Sequence, residues 1–105
     1  MILPTDFQNW KPAFMTSDFA QALALRAAAF IFSEDALRDR YIALSGTGVD
    51  DIRARIEDSE FLASLLEFLM AHEPDLLAFA AYADEKPETI AKAWRTLGGG
   101  AGQEW

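Results

Sequence analysis

One segment constrains this chain more than any other. Residues 61–70 read Phe-Leu-Ala-Ser-Leu-Leu-Glu-Phe-Leu-Met, and only Glu60, Ser64 and Glu67 mark a wet stripe along it. Wound as a helix, it is apolar on nearly every side, and such a helix is stable only when others cover it. The rest of the chain must therefore supply the cover. At 105 residues there is room for one domain, and a chain of that length buries roughly 65% of its unfolded surface, enough for a single core. With 51% apolar and 12% aromatic residues, the body of the chain is not intrinsically disordered.

The covering segments carry helical period. Ser17 or Asp18 is placed to cap a first helix, whose stripe runs through Leu23, Ala27, Phe30 and Ile31 to about Phe32. A second spans about 34–45, with Leu37, Tyr41 and Leu44 at i, i+4, i+7 and Arg38, Asp39 and Arg40 opposite; Gly46 suits its left-handed end. Thr47 and Asp50 have capping-box spacing ahead of a short helix in which Val49, Ile52 and Ile56 face one way. Asp58 or Ser59 opens the apolar helix itself. Pro74 fits the first turn of a fifth, 74–83, containing Leu76, Leu77, Phe79, Ala80 and Tyr82. Pro87 opens a sixth, where Ile90, Trp94 and Leu97 repeat the i, i+4, i+7 spacing before Gly98-Gly99-Gly100. No strand pattern occurs. The expected fold is all-α, a compact bundle of five or six short helices over residues 17–98, with an irregular arm at 1–16 and a flexible tail at 99–105. The expected core is Phe30, Leu37, Tyr41, Ile52, Leu65, Phe68, Leu69, Phe79, Ile90 and Trp94.

Sliding the sequence against itself by about 38 residues aligns two halves without a gap. Phe30 meets Phe68, Ile31 meets Leu69, Tyr41 meets Phe79, Leu44 meets Tyr82, Ile52 meets Ile90 and Ile56 meets Trp94. Few pairs are identical, so the inference is one of apolar placement: two similar helical halves packed around a central helix.

Composition closes several functional classes. There is no cysteine, so disulfide scaffolds, zinc ribbons and thiol chemistry fall away. Seventeen acids against nine bases give a net charge of −8, a poor start for gripping phosphates or anionic lipid. No run approaches the ~18 apolar residues of a membrane span, and Met1-Ile2-Leu3-Pro4-Thr5-Asp6 lacks the basic start and apolar core of a signal peptide. The expected location is cytoplasmic.

Chemistry-bearing residues are few. The single histidine, His72, stands at the C-terminal end of the apolar helix with Glu73 and Asp75 in reach, and reads as a structural cap. No nucleophile elbow, phosphate loop or His-Glu-x-x-His run is present. Asp50-Asp51 and Glu57-Asp58-Ser59-Glu60 lack the alternating spacing of a calcium loop and enclose Arg53 and Arg55; helix dipoles already account for acids at helix starts. Neither an enzyme nor a metal or cofactor protein is expected. Ala80, Ala83, Ile90 and Ala93 match the small and apolar positions of a helix-turn-helix, with 87–97 as recognition helix offering Thr89, Lys92 and Arg95. Asp84 stands where that motif's turn glycine belongs, and the first half's turn reads as longer by a Thr-Gly insertion.

The stretches 43–55 (Ala-Leu-Ser-Gly-Thr-Gly-Val-Asp-Asp-Ile-Arg-Ala-Arg), 61–73 (Phe-Leu-Ala-Ser-Leu-Leu-Glu-Phe-Leu-Met-Ala-His-Glu) and 76–80 (Leu-Leu-Ala-Phe-Ala) resemble, in order, a small alphaproteobacterial family, domain of unknown function 3572. The resemblance covers about residues 18–98. Thr47-Gly48 departs from the Gly-Leu-Asp-Pro usual there. The resemblance implies a helical, cytoplasmic bacterial protein and brings no activity, cofactor or site residue.

What remains is interaction. Phe7, Trp10 and Phe14 place three large apolar side chains between Pro4 and Pro12 and just beyond, and soluble proteins avoid leaving such groups in water. They are the expected partner-binding residues, docking on the bundle, on a second copy or on another protein. The expected role is a non-enzymatic protein–protein interaction module with no small-molecule substrate. A degenerate helix-turn-helix that binds DNA is the alternative.

Overall fold

The structure, a computed structural model, describes residues 15–100. They form six helices: α1 (Ser17–Ser33), α2 (Asp35–Ser45), α3 (Val49–Arg55), α4 (Ser59–Met70), α5 (Glu73–Ala83) and α6 (Pro87–Thr96). The fold is an all-α bundle, as the periodicity predicts. Local chemistry sets most boundaries. Asp58 caps α4, its Oδ1 accepting from the N–H groups of Glu60 (3.0 Å) and Phe61 (3.5 Å). Gly46 ends α2 at φ +71°, where a side chain would be strained. Pro74 and Pro87 lie in the first turns of α5 and α6, where the missing N–H has no intrahelical partner to lose.

Two caps differ from expectation by a residue. Thr16, not Ser17 or Asp18, caps α1 by accepting from the N–H of Phe19 at 3.2 Å. The acid that closes the start of α3 is Asp51, whose carboxylate accepts from the N–H of Gly48 at 3.2 Å. Thr47 is buried in the turn, its N–H donated to Ser45 Oγ, and Gly48 holds the N-cap position.

The core confirms the apolar helix as buried: Phe61, Leu62, Leu65, Leu66 and Leu69 of α4 are all inaccessible or nearly so. It shares the centre with α1. Helix α4 packs on α1, α5 and α6, while α1 packs on α2, α4, α5 and α6. Ala20, Ala24 and Ala27 of α1, all fully buried, have the small side chains that let neighbouring helices approach. Of the expected core, Phe30, Leu37, Tyr41, Ile52, Leu65, Leu69, Phe79 and Ile90 are buried, whereas Phe68 and Trp94 are half-buried and pack against its edge. Leu44 is a correction. It is 72% exposed, because the buried side of α2 is confined to Leu37 and Tyr41. Ile56 is exposed as well, just past the end of α3.

The two halves repeat in register. Shifted by 38 residues, the bounds of α2 fall on those of α5, and the start of α3 falls on that of α6. Gly46 and Asp84 are then equivalent, and both are left-handed, at φ +71° and +57°. The first half's turn is thus no longer than the second's, against the sequence reading of an insertion. Contacts are exchanged between the halves: Phe30 meets Phe79 with ring centroids 5.5 Å apart, and the equivalent pair Phe68 and Tyr41 meets at 5.1 Å. Reciprocal pairing of that kind is the signature of an approximate two-fold axis, here inside one chain. Packing breaks it in two places: α1 packs on α5 more closely than α4 does on α2, and the third helices differ. Helix α6 packs closely on both α1 and α4, and α3 on neither to the same degree.

Candidate functional site

Phe7, Trp10 and Phe14 lie outside the described residues. Immediately after them Met15 packs against the core and Thr16 caps α1.

His72 occupies the N-cap position of α5, in extended backbone. Its Nδ1 lies 3.3 Å from Asp75 Oδ2, and the same carboxylate accepts from Arg40 Nη2 of α2. Arg40 also lies over the Phe68 ring, 5.1 Å from its centroid. The cluster therefore ties α2 to the α4–α5 corner, with Asp75 at its centre. Asp51 and Asp58 serve as caps, and Asp58 also pairs with Arg55 at 3.6 Å. Among the described residues no group of histidine and carboxylate side chains is arranged to hold a metal ion, and no helix is long and apolar enough to cross a membrane.

The helix-turn-helix positions take the burial that motif needs. Phe79, Ala80, Ala83, Ile90 and Ala93 are buried, and three residues, Asp84 to Lys86, separate α5 from α6. Asp84 adopts the left-handed conformation of the missing glycine; its N–H donates to the Ala81 carbonyl, and that of Glu85 donates to Ala80. The outward side of α6 carries Glu88, Lys92 and Arg95, all exposed, with Glu85 just ahead of it. With Lys86, exposed at the N-cap of α6, those charges nearly cancel, leaving one net positive charge. Trp94 is spent on structure: its Nε1 donates to Glu67 Oε1 of α4 at 3.2 Å.

The feature that sequence reasoning missed is the outer side of α5. Pro74, Leu77, Ala78, Ala81 and Tyr82 are all exposed, Leu77 at 50% and Tyr82 at 52%. At helical spacing the first four share one side, with Tyr82 at its border. Tyr82 is held by its own core contacts, stacked on Phe79 at 6.1 Å and tilted against Phe30 at 5.0 Å. Between Glu73 and Asp84 the only charged residue is Asp75, and its half-buried carboxylate is engaged by Arg40. Beyond its first turn, over residues 76–83, α5 is thus uncharged all round, yet one side faces solvent. The available signal is the absence of any polar stripe in residues 76–83. The equivalent side of α2 carries Asp39, so the repeat does not require this surface.

A family model described as "Protein of unknown function (DUF3572)" matches residues 17–100. No curated protein and no solved structure matches the chain.

Proposed function

The chain belongs to the DUF3572 family of proteins of unknown function, and from its own surface we propose that it is a non-enzymatic, cytoplasmic protein–protein interaction module. The observation that carries this reading is the exposed, uncharged side of α5. Exposed apolar surface on a small acidic domain costs solubility and contributes nothing to its own fold, and a continuous patch of it is the usual mark of a surface that a partner covers. Phe7, Trp10 and Phe14 are assigned to the same role as a second contact, because aromatic side chains dominate interface energetics. The test is capture from a lysate of the native cell with wild-type and Leu77→Glu protein as baits. A protein retained by the wild type and lost with Leu77→Glu, at unchanged melting temperature, supports the reading. Equal capture by both baits rejects α5 as the interface.

A second reading has one observation in its favour. Asp84 takes the left-handed conformation that the turn of a helix-turn-helix requires, and the motif's apolar positions are buried. The nearly balanced charge on the outer side of α6 and the net −8 of the chain weigh against duplex DNA as ligand. Salt-dependent binding of a duplex, lost in Lys92→Ala/Arg95→Ala, would establish it in place of the first.

A further inference from the structure

We infer that the outer side of α5 takes a basic amphipathic helix from a different protein; this rests on the interaction reading above and names its partner's chemistry. The strip is the length of α5, whose 11 residues rise about 16 Å, the span of three helical turns in a partner. Its middle is built of one large and several small side chains, Leu77 flanked by Pro74, Ala78 and Ala81, a shallow surface that a helix backbone approaches closely. Its ends are acidic. Glu73 stands at one and Asp84 with Glu85 at the other, and Lys86 offsets only one of these. Asp84 sits in a left-handed conformation at a helix C-terminus, where glycine is less strained and the helix dipole opposes a carboxylate. An apolar strip between acidic ends is complementary to apolar anchors at i, i+4 flanked by lysine or arginine. Tyr82, half-exposed at the border, adds a ring face for one of those cations.

The same charges argue against a second copy. Antiparallel pairing of two α5 helices sets Glu73 against the other copy's Asp84 and Glu85. Parallel pairing sets like against like at both ends, and each copy brings a net −8.

The experiment uses the full chain and a fluorescein-labelled Leu/Lys model peptide of about 14 residues, long enough to cover the strip when helical, at about 0.15 M salt. Anisotropy titrations compare the wild type with Leu77→Glu and with Leu44→Glu, which adds the same charge on α2 at a residue 72% exposed. The expected result is binding by the wild type, retained within about twofold by Leu44→Glu and weakened at least about tenfold by Leu77→Glu, with Asp84→Asn weakening it by about threefold. Attraction by net charge alone would make both glutamate variants bind as well as the wild type or better, and that outcome overturns the inference. So does absence of peptide binding. Should the captured cellular protein still be lost with Leu77→Glu while the peptide fails to bind, the interface stands and only the basic-helix assignment falls. A wild-type dimer in sedimentation, abolished by Leu77→Glu, would put a second copy on the strip and also overturn it. Ala81→Glu, on the same exposed side, repeats the test if Leu77→Glu melts early.

Discussion

Asp84 occupies a conformation that its counterpart Gly46 adopts without strain, at φ +57° against +71°. A non-glycine residue there costs about 1–2 kcal/mol, less for aspartate than for most, and a carboxylate in the last turn of a helix opposes the dipole. Asp84→Gly is therefore expected to raise stability by about 0.5–1 kcal/mol in urea denaturation. A midpoint at or below that of the wild type would mean that the carboxylate stabilises the fold and is not held there for a partner. Phe79 and Phe68 give the contrasting prediction, on burial. Phe79 is fully buried and touches both Phe30 and Tyr82; Phe68 is half-buried between Tyr41 and Arg40. Phe79→Ala should cost about 3–5 kcal/mol and Phe68→Ala clearly less, about 1.5–3. Equal losses would show that the edge of the core is as tightly packed as its centre. Residue by residue, the sequence identified the buried positions well because apolar spacing is what burial selects. It misplaced Leu44 because i+7 reaches the buried side only if the helix is still covered at its last turn.

Helix α4 is capped by one side chain and α6 is followed by three glycines, and both features are testable at the scale of an element. Asp58 accepts two backbone N–H groups at the start of the most buried helix, so Asp58→Ala should cost about 1 kcal/mol; a melting temperature unchanged within error would mean that packing alone fixes the start of α4. At the other end of the chain, a Cβ on Gly99 would lie 2.3 Å from the Trp94 indole, while the Gly99 N–H donates to the Trp94 carbonyl at 2.8 Å. Gly99→Ala must displace that ring and disturb its bond to Glu67. It should lower stability by about 1–3 kcal/mol, read by thermal melting. Elements were the most legible level of this sequence. Prolines at 74 and 87, Gly46 and Asp58 bounded four helices from chemistry that acts over one turn. The outer side of α5 was not legible, because Leu77 and Tyr82 look the same in sequence whether a helix neighbour or only water lies beyond them. Tertiary placement alone decides that.

At the scale of the whole molecule the internal two-fold is imperfect, and the imperfection predicts where the fold opens first. Equivalent helices α3 and α6 begin at the same register, but α6 has 10 residues and is wedged against α1 and α4, while α3 has 7 and lacks comparable packing. Isolated helices of that length are not stable in water, so each depends on what covers it. Ile52 and Ile90 are equivalent and both buried, yet the surroundings of Ile90 are drawn from two long helices. Ile90→Ala should therefore cost about 3–4 kcal/mol and Ile52→Ala about 1–2, since the neighbours of a loosely packed site can close the gap. Amide exchange carries the same asymmetry. Protection should be greatest in α1 and α4, nearly as great in α6, and lowest in α3, whose amides exchange by local opening and not by global unfolding. Destabilising the core through Phe79→Ala, which touches Phe30 and Tyr82, should then speed exchange in α1, α4 and α6 together and leave α3 nearly unchanged. Exchange in α3 that tracks the other helices would instead make all six one cooperative unit, with the two-fold intact in energy where it is broken in packing.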